Sequence, residues 1–186
     1  RVYQWRDVPH GAVTLHCYKS SATGAARSVH VYTPPGYATD AKLKAAKLPV
    51  LYLLHGSGDD DRHWSLLGQA NVIADNLLAD GKSVPMLIVM PEGHPAGAVN
   101  TTERETYFRE NRRLFERDLL DDVVPLVEAN YRVDTDRTAR AIAGLSMGGG
   151  QSLDVGLKHL DQFAWVASFS GGVRGLDDAL AKLAAD

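Results

Sequence analysis

The sequence predicts an α/β fold with a mostly parallel central sheet and helices on both faces. Apolar runs of strand length at residues 50–54 and 86–90 lack polar alternation, which is typical of strands that are buried on both faces. Segments with apolar residues three and four positions apart, typical of amphipathic helices, separate these runs. Buried strands that alternate with helices indicate a parallel sheet, because parallel neighbours need a crossover connection.

The predicted strands are of two types. Residues 13–19 and 28–33 alternate polar and apolar side chains, which predicts a half-buried antiparallel pair, and Pro34 ends the second strand. The later strands are continuous apolar runs. In chain order, the predicted strands are residues 13–19, 28–33, 50–54, 86–90, 139–145 and 163–169.

Apolar spacing also predicts the helices. Residues 38–47 are rich in alanine and lysine and indicate a solvated connection or a short surface helix. Pro125 is expected to bend or restart the long helix that contains it, because proline has no N–H for the helical ladder. In chain order, the predicted helices are residues 64–78, 107–131, 148–159 and 176–185.

Composition limits the classes of function. A chain of 186 residues with 45% hydrophobic residues predicts a single globular domain, residues 1–186. The net charge of -3 gives no basic excess for nucleic acid, and no apolar run reaches the roughly 18 residues that span a bilayer. The charge and the short apolar runs lead us to expect no nucleic-acid and no membrane partner. Cys17 is the only cysteine, which excludes an intrachain disulfide and a cysteine-rich zinc site.

Ser146 is the centre of a Gly-x-Ser-x-Gly pattern between a buried strand and a helix. This pattern is typical of a nucleophile elbow, a strained turn that presents the serine side chain at the edge of the sheet. Gly144 and Gly148 lack the Cβ atoms that would collide across such a turn. The alternative is a glycine-rich turn with a buried, satisfied serine, but the flanking strand and helix favour the nucleophile.

Three loops are predicted at the carboxyl edge of the sheet, where ligands bind in open α/β folds. They are residues 55–62, residues 91–100 and the Ser146 turn. The N–H groups of Ser57 and Met147 are predicted to donate to an oxyanion beside Ser146. Two such donors suit acyl transfer.

A serine nucleophile needs a base, and the seven histidines of the chain offer no clear one. His159 is predicted roughly 20 Å from Ser146, at the far end of the following helix. His55 is expected to brace its loop, and His94 is the one histidine on a loop that could reach the serine. The candidate substrate-side residues are His55, Trp64 and His94. The other histidines are expected in the sheet or on the surface, and His63 has no second histidine at metal-ligand spacing.

An ordered series of segments carries a resemblance to a known family. The segments are Val-Tyr-Thr-Pro-Pro-Gly-Tyr at 31–37, Pro-Val-Leu-Tyr-Leu-Leu-His-Gly at 49–56, Trp64, Met90-Pro91, Phe-Glu-Arg-Asp-Leu-Leu at 115–120, Tyr-Arg-Val at 131–133 and Ala-Gly-Leu-Ser-Met-Gly-Gly at 143–149. Across residues 11–172 the chain resembles the putative-esterase family of α/β-hydrolases. Within it the chain is most similar to the feruloyl and acetylxylan esterases of carbohydrate esterase family 1.

The resemblance implies an α/β-hydrolase fold and a Ser-His-Asp/Glu triad, with neither a metal nor an organic cofactor. It makes Ser146 the nucleophile and the N–H groups of Ser57 and Met147 the oxyanion hole. The implied activity is release of hydroxycinnamoyl or acetyl groups from plant cell-wall polysaccharide by a secreted esterase. Two alternatives stay open within enzymes, namely an acyltransferase and a thioesterase like S-formylglutathione hydrolase. A non-catalytic carbohydrate-binding or scaffold form is the alternative from another class.

In this family the triad acid and histidine follow later strands, in the chain order serine, acid, histidine. The sequence ends at Asp186 before either is expected, and Asp177 and Asp178 come too early for the acid. We therefore expect a fragment, with the C-terminal strands of the sheet missing, or a sheet that a second chain or copy completes. An apolar last strand at 163–169 would otherwise be an exposed sheet edge.

Overall fold

The computed structural model describes residues 1–99 and 102–172. Its strands are β1 Ala12–Lys19, β2 Ala26–Thr33, β3 Val50–Leu54, β4 Leu87–Pro91, β5 Arg140–Leu145 and β6 Trp165–Phe169. They form one six-stranded sheet in the order β1-β2-β4-β3-β5-β6. The pairs β4–β3, β3–β5 and β5–β6 are parallel, and β2 runs antiparallel to both β1 and β4. The predicted mostly parallel sheet is confirmed.

Helices pack on both faces of this sheet, as predicted. Phe115, Val127 and Val155, from the helices after β4, share a core with one face, and Ala70 packs on the other face. The helix bounds are α1 Ala41–Ala45, α2 His63–Leu66, α3 Ala70–Ala79, α4 Arg104–Arg117, α5 Val124–Asn130 and α6 Met147–Lys158. The helix predicted at 176–185 lies outside the described residues. No helix in the described part of the chain is long and apolar enough to cross a membrane.

The helix predicted at 64–78 is divided into α2 and α3. Gln69 adopts the left-handed conformation with φ 52°. The chain therefore changes direction between the end of α2 and the start of α3. Gly68 allows this reversal, since a Cβ there would lie 2.6 Å from Cε3 of the Trp64 ring. The prediction of one continuous helix is wrong because apolar spacing alone does not register this local fold-back.

The long helix predicted at 107–131 contains a π-helical segment, Asp118–Val123, between α4 and α5. Its buried positions recur every four residues, at Tyr107, Asn111, Phe115, Leu119, Val123 and Val127. In an α-helix each step of four rotates about 40° beyond a full turn, so such a row would drift off the core. The wider i→i+5 turn offsets this drift. Pro125 lies in the first turn of α5, where the α-helix begins again after this segment, which agrees with the predicted restart.

Strand β6 pairs with β5 and is the outer strand of the sheet within the described residues. Trp165 is 64% exposed and Phe169 is 50% exposed. The expectation that another strand covers this edge stays a prediction.

The start of α6 contacts the end of β3 without intervening side chains. A Cβ on Gly148 would lie 2.5 Å from the His55 carbonyl oxygen and 2.6 Å from that of Leu54. A Cβ on Gly144 would lie 2.4 Å from the Gly148 carbonyl group. The N–H of Gly148 donates to the His55 carbonyl oxygen at 3.1 Å. Only glycine fits at both positions, so this contact fixes α6 against β3.

We expect the substitution Gly148→Ala to lower the free energy of unfolding by about 3 kcal/mol or more, because the added methyl group collides with backbone that no side-chain rotation can move. Urea unfolding of the two proteins measures this difference. Gly172→Ala is the matched control, since a Cβ at Gly172 meets no atom of residues 1–99 and 102–172 within 4 Å. Equal unfolding free energies for wild type and Gly148→Ala would show that the contact between α6 and β3 does not need glycine at position 148.

Candidate active site

Ser146 lies in a strained turn at the carboxyl edge of the sheet. It follows β5, precedes α6 and has φ 53° and ψ -108°, a conformation that non-glycine residues rarely adopt. Its N–H donates to the Phe169 carbonyl oxygen at 2.8 Å, and its own carbonyl oxygen accepts from Gly150 N–H at 3.0 Å. The residue is exposed. These bonds to β6 and α6 hold the serine in a conformation that costs on the order of 1–3 kcal/mol.

Ser57 and Met147 carry backbone N–H groups near this turn. Met147 is the first residue of α6, where an N–H has no partner within its helix. Ser57 is exposed in the loop after β3, and the Gly148–His55 hydrogen bond holds that loop beside the first turn of α6. Among the hydrogen bonds of residues 1–99 and 102–172, none uses the N–H of Ser57 or Met147. Two free donors therefore lie at the same edge of the sheet as Ser146.

His55 lies beneath the loop that carries Ser57. Its ring is 1% exposed, Nδ1 donates to the Gly56 carbonyl oxygen at 2.8 Å, and Nε2 accepts from Gly93 N–H at 2.8 Å. Burial disfavours the charged ring, whereas Glu92 Oε1 at 3.6 Å from Nε2 favours it. Both ring nitrogens are engaged, so these contacts favour the bracing role over contact with a substrate.

His94 joins two loops and helix α4. Its Nδ1 lies 2.6 Å from the Tyr107 hydroxyl, and its Nε2 accepts from Gly58 N–H at 3.3 Å. Burial of the ring lowers the pKa of His94 below its usual value. A proton acceptor for Ser146 would need Nε2 to be free, and here Gly58 holds it. Roles for His94 as a base or on the substrate side stay predictions.

Trp64 lines an apolar groove of about 520 Å³ between α3 and the sheet. Other walls of the groove are Leu53, Ile73, Met86 and Phe169. The indole Nε1 of Trp64 is buried and has no hydrogen-bond partner within the described residues. The groove lies on the sheet face opposite α6, and the substrate-side role of Trp64 stays a prediction.

Each of the five remaining histidines pairs with a side chain other than Ser146. These pairs are His10 with Asp75, His16 with Tyr131, His30 with Asp61, His63 with Asp59 and His159 with Glu116. His159 caps the far end of α6, as its position in the sequence predicts. Within the ranges 1–99 and 102–172, no group of three or more His, Cys, Asp or Glu side chains is placed to hold a metal ion.

Sequence reasoning missed a buried polar group around Gly93. The Gly93 carbonyl oxygen accepts from Asn111 Nδ2 at 2.9 Å and from Gln151 Nε2 at 3.0 Å, and both amides are buried. Ala96 N–H donates to Asn111 Oδ1 at 3.1 Å. Asn111 could have been recognised in the sequence, because it is a polar residue four positions before Phe115, where the helical spacing of α4 places a buried side chain.

Arg27 connects the same loop to the π-helical segment. Its guanidinium donates to the Glu92 carbonyl oxygen and, at 3.0 Å from Nε, to Asp118 Oδ2. Tyr18 donates its hydroxyl to the same carboxylate oxygen at 2.8 Å. Asp118 is fully buried, so this ion pair is shielded from water and tied to fixed partners.

A parallel sheet whose serine occupies a left-handed turn between strand and helix is the arrangement of α/β-hydrolases. The sequence profile of the family described as "Putative esterase" matches residues 20–177, and the chain belongs to this family.

Relatives and solved structures agree with this assignment. An endo-1,4-beta-xylanase/feruloyl esterase of Xylanibacter ruminicola is 35% identical over 167 residues, which are 90% of this chain and 22% of that protein. An esterase of Mycobacterium tuberculosis is 34% identical over 156 residues, 83% of this chain and 31% of the relative. The CE1 ferulic acid esterase of Anaeromyces mucronatus superposes with a TM-score of 0.80 at 27% identity, over 91% of this chain and 62% of that enzyme.

The resemblance to carbohydrate esterase family 1 and the α/β-hydrolase fold are thereby confirmed. The chain spans less than a third of either curated relative, so the activity and substrate of the whole protein are proposals.

Replacing Asn111 by alanine is expected to cost about 2 kcal/mol of unfolding free energy, because it removes a partner from the Gly93 carbonyl oxygen and leaves Ala96 N–H unpaired. Chemical unfolding followed by circular dichroism measures the loss. Asn130→Ala provides the comparison, since Asn130 is exposed and bonds within its own helix. A loss at Asn111 no larger than that at Asn130 would show that the buried amide is not structurally important.

Proposed function

We propose that the protein is a serine carboxylic-ester hydrolase that forms an acyl-enzyme on Ser146. The observation that carries this proposal is the exposed serine in a left-handed turn between β5 and α6. Such strain at a non-glycine residue is retained where the surrounding structure enforces it, and it is typical of functional sites. Membership in an esterase family supports the same chemistry.

In the proposed reaction, Ser146 Oγ attacks the acyl carbon of the ester and its proton passes to a base. The carbonyl oxygen becomes an oxyanion and accepts hydrogen bonds from the N–H groups of Ser57 and Met147. Preorganised donors of this kind lower such barriers by several kcal/mol, typically about 3 for one donor. The alcohol then leaves, and water attacks the acyl-enzyme to release the acid and restore the serine.

The base and its acid partner are proposed to lie outside the described residues. The histidines nearest the turn, His55 and His94, use both ring nitrogens in contacts with Gly56, Gly93, Tyr107 and Gly58. His159 is at the opposite end of α6 and pairs with Glu116. Because these histidines are engaged elsewhere, we assign the base to a later histidine, in the chain order serine, acid, histidine that is usual for α/β-hydrolases.

The proposed substrates are feruloyl or acetyl esters of plant cell-wall polysaccharide. The Xylanibacter relative is named as a xylanase and feruloyl esterase, and the Anaeromyces enzyme as a ferulic acid esterase. A polymer of this kind is outside the cell, so we propose a secreted enzyme. Transfer of the acyl group to an alcohol or thiol would begin with the same acyl-enzyme, and product analysis distinguishes it from hydrolysis.

We expect a fluorophosphonate probe to label Ser146 in the full-length protein, and methyl ferulate or p-nitrophenyl acetate to be hydrolysed. Ser146→Ala is expected to abolish labelling and lower kcat by roughly 1,000-fold or more, because the nucleophile is lost. Ser65→Ala removes a hydroxyl whose one partner in the described part of the chain is the Arg62 carbonyl oxygen, and it should leave both readouts unchanged. Labelling that persists in Ser146→Ala, or wild-type protein without label and turnover, would reject the proposal.

A further inference from the structure

The loop that carries Ser57 is held at three points. At its start, the His55 carbonyl oxygen accepts from Gly148 N–H, which fixes the loop to α6. The buried His55 ring supports it from below through Gly56 and Gly93. On the far side of Ser57, the N–H of Gly58 donates to His94 Nε2. The direction of the Ser57 N–H therefore depends on a side chain from a different loop.

The hydrogen-bond partners determine the protonation state of His94. The Tyr107 hydroxyl donates to the Gly97 carbonyl oxygen at 2.9 Å, so it accepts from His94 Nδ1–H. Gly58 N–H can only donate, so Nε2 must present a lone pair. The ring is therefore neutral, with its proton on Nδ1. Protonation of Nε2 would place two donors opposite each other and break the contact with Gly58.

His94 is itself held rigidly by the residue before it. Gly93 donates to His55 and accepts from the amides of Asn111 on α4 and Gln151 on α6. A Cβ on Gly93 would lie 3.1 Å from the His55 ring and from Met147 Cε, so glycine lets the backbone approach both side chains closely. The N–H of His94 donates to Glu92 Oε1 at 2.9 Å. Through these contacts, the position of the His94 ring depends on helices α4 and α6.

We infer that His94 is a positioning residue, which holds the Ser57 N–H in the direction of the oxyanion through its bond to Gly58. This inference rests on the proposed function of the Ser146 site. His94 touches neither the reacting atoms nor the serine in this role. Its loss should weaken binding of the tetrahedral state while leaving ground-state binding of the substrate unchanged.

The charges around His94 support a neutral ring. Burial lowers its pKa and the Arg27 charge lowers it further, whereas the Glu92 and Asp59 carboxylates raise it. The neighbouring His55 accepts from Gly93 N–H at Nε2, so it adds no positive charge in this state. The folded pKa is therefore below the unfolded value of about 6.5. The corresponding stabilisation is complete above the unfolded pKa and is lost as the pH falls through the folded pKa. The Gly58 contact should accordingly be intact at neutral pH and break in acid.

Three variants of the full-length protein test the inference. His94→Ala removes the acceptor, and His94→Gln supplies an amide oxygen in its place. His16→Ala is the matched control, because His16 also lies 2.6 Å from a tyrosine hydroxyl, that of Tyr131, at the edge strand. For each protein the measurements are kcat and KM on methyl ferulate, the affinities of phenylboronic acid and ferulate, and the melting temperature. Phenylboronic acid adds to a serine oxygen as a tetrahedral anion, whereas ferulate is the product.

We expect His94→Ala to lower kcat and boronate affinity about tenfold each, with KM and ferulate affinity unchanged within about twofold. This loss is smaller than the roughly 100-fold or greater loss for a deleted donor, because Ser57 N–H is displaced and not removed. His94→Gln should recover most of both quantities, and His16→Ala should match wild type. In wild type, the amide resonance of Gly58 should titrate below pH 6.5 with the His94 ring, and in His94→Gln it should not.

Equal losses of boronate and ferulate affinity in His94→Ala, or no loss at all, would overturn the inference. If His94→Ala lowers the melting temperature so far that it cannot be assayed, Tyr107→Phe keeps the His94 ring but removes the acceptor of Nδ1–H, together with the bond from the hydroxyl to the Gly97 carbonyl oxygen, and should show the same selective loss to a smaller degree. An unchanged boronate affinity in Tyr107→Phe would then overturn it. Wild-type protein without Ser146 labelling would instead reject the proposed function, so the two failures are distinguishable.

Discussion

The proposed site depends on one contact, in which the backbone of the first turn of α6 packs directly against the backbone at the end of β3. Gly148 can donate to the His55 carbonyl oxygen only because neither it nor Gly144 carries a Cβ. The contact places the Ser146 turn and the Ser57 loop at one edge of the sheet. It also forces the left-handed conformation of Ser146, whose cost is offset by the bonds that its backbone makes to Phe169 and Gly150.

Around this contact, buried polar groups are arranged so that each loop of the site is tied to a rigid element. Gly93 is the common point, because it bonds to His55 after β3, Asn111 on α4 and Gln151 on α6. Arg27 on β2 adds a further tie through the Glu92 carbonyl oxygen. Supporting groups that are buried and hydrogen-bonded to fixed elements hold a site in its geometry before a substrate binds. The geometry of the proposed site therefore rests on contacts within the protein itself.

Sequence patterns predicted those features that depend on neighbours along the chain. The central strand at 50–54 matches β3 at both ends, and the Ser146 turn lies between β5 and α6 as its glycines indicated. The roles of His94, Asn111 and Gln151 could not be predicted, because their partners lie 13 to 58 positions away and only the folded chain brings them together. The break at Gln69 and the π-helical segment were missed because a fixed helical period assumes uniform geometry.

An i→i+5 turn holds one residue more than an α-helical turn, so segment Asp118–Val123 amounts to a single-residue insertion accommodated inside a helix. Deleting one residue there would restore an α-helix and rotate α4 relative to α5 by about 100°. Tyr107 and Asn111 would then leave the Gly93 loop if Val127 kept its place in the core. In alignments of homologues that lack this residue, the gap belongs within this helix and not in a neighbouring loop, and such sequences should show mixed three- and four-residue spacing of their buried positions.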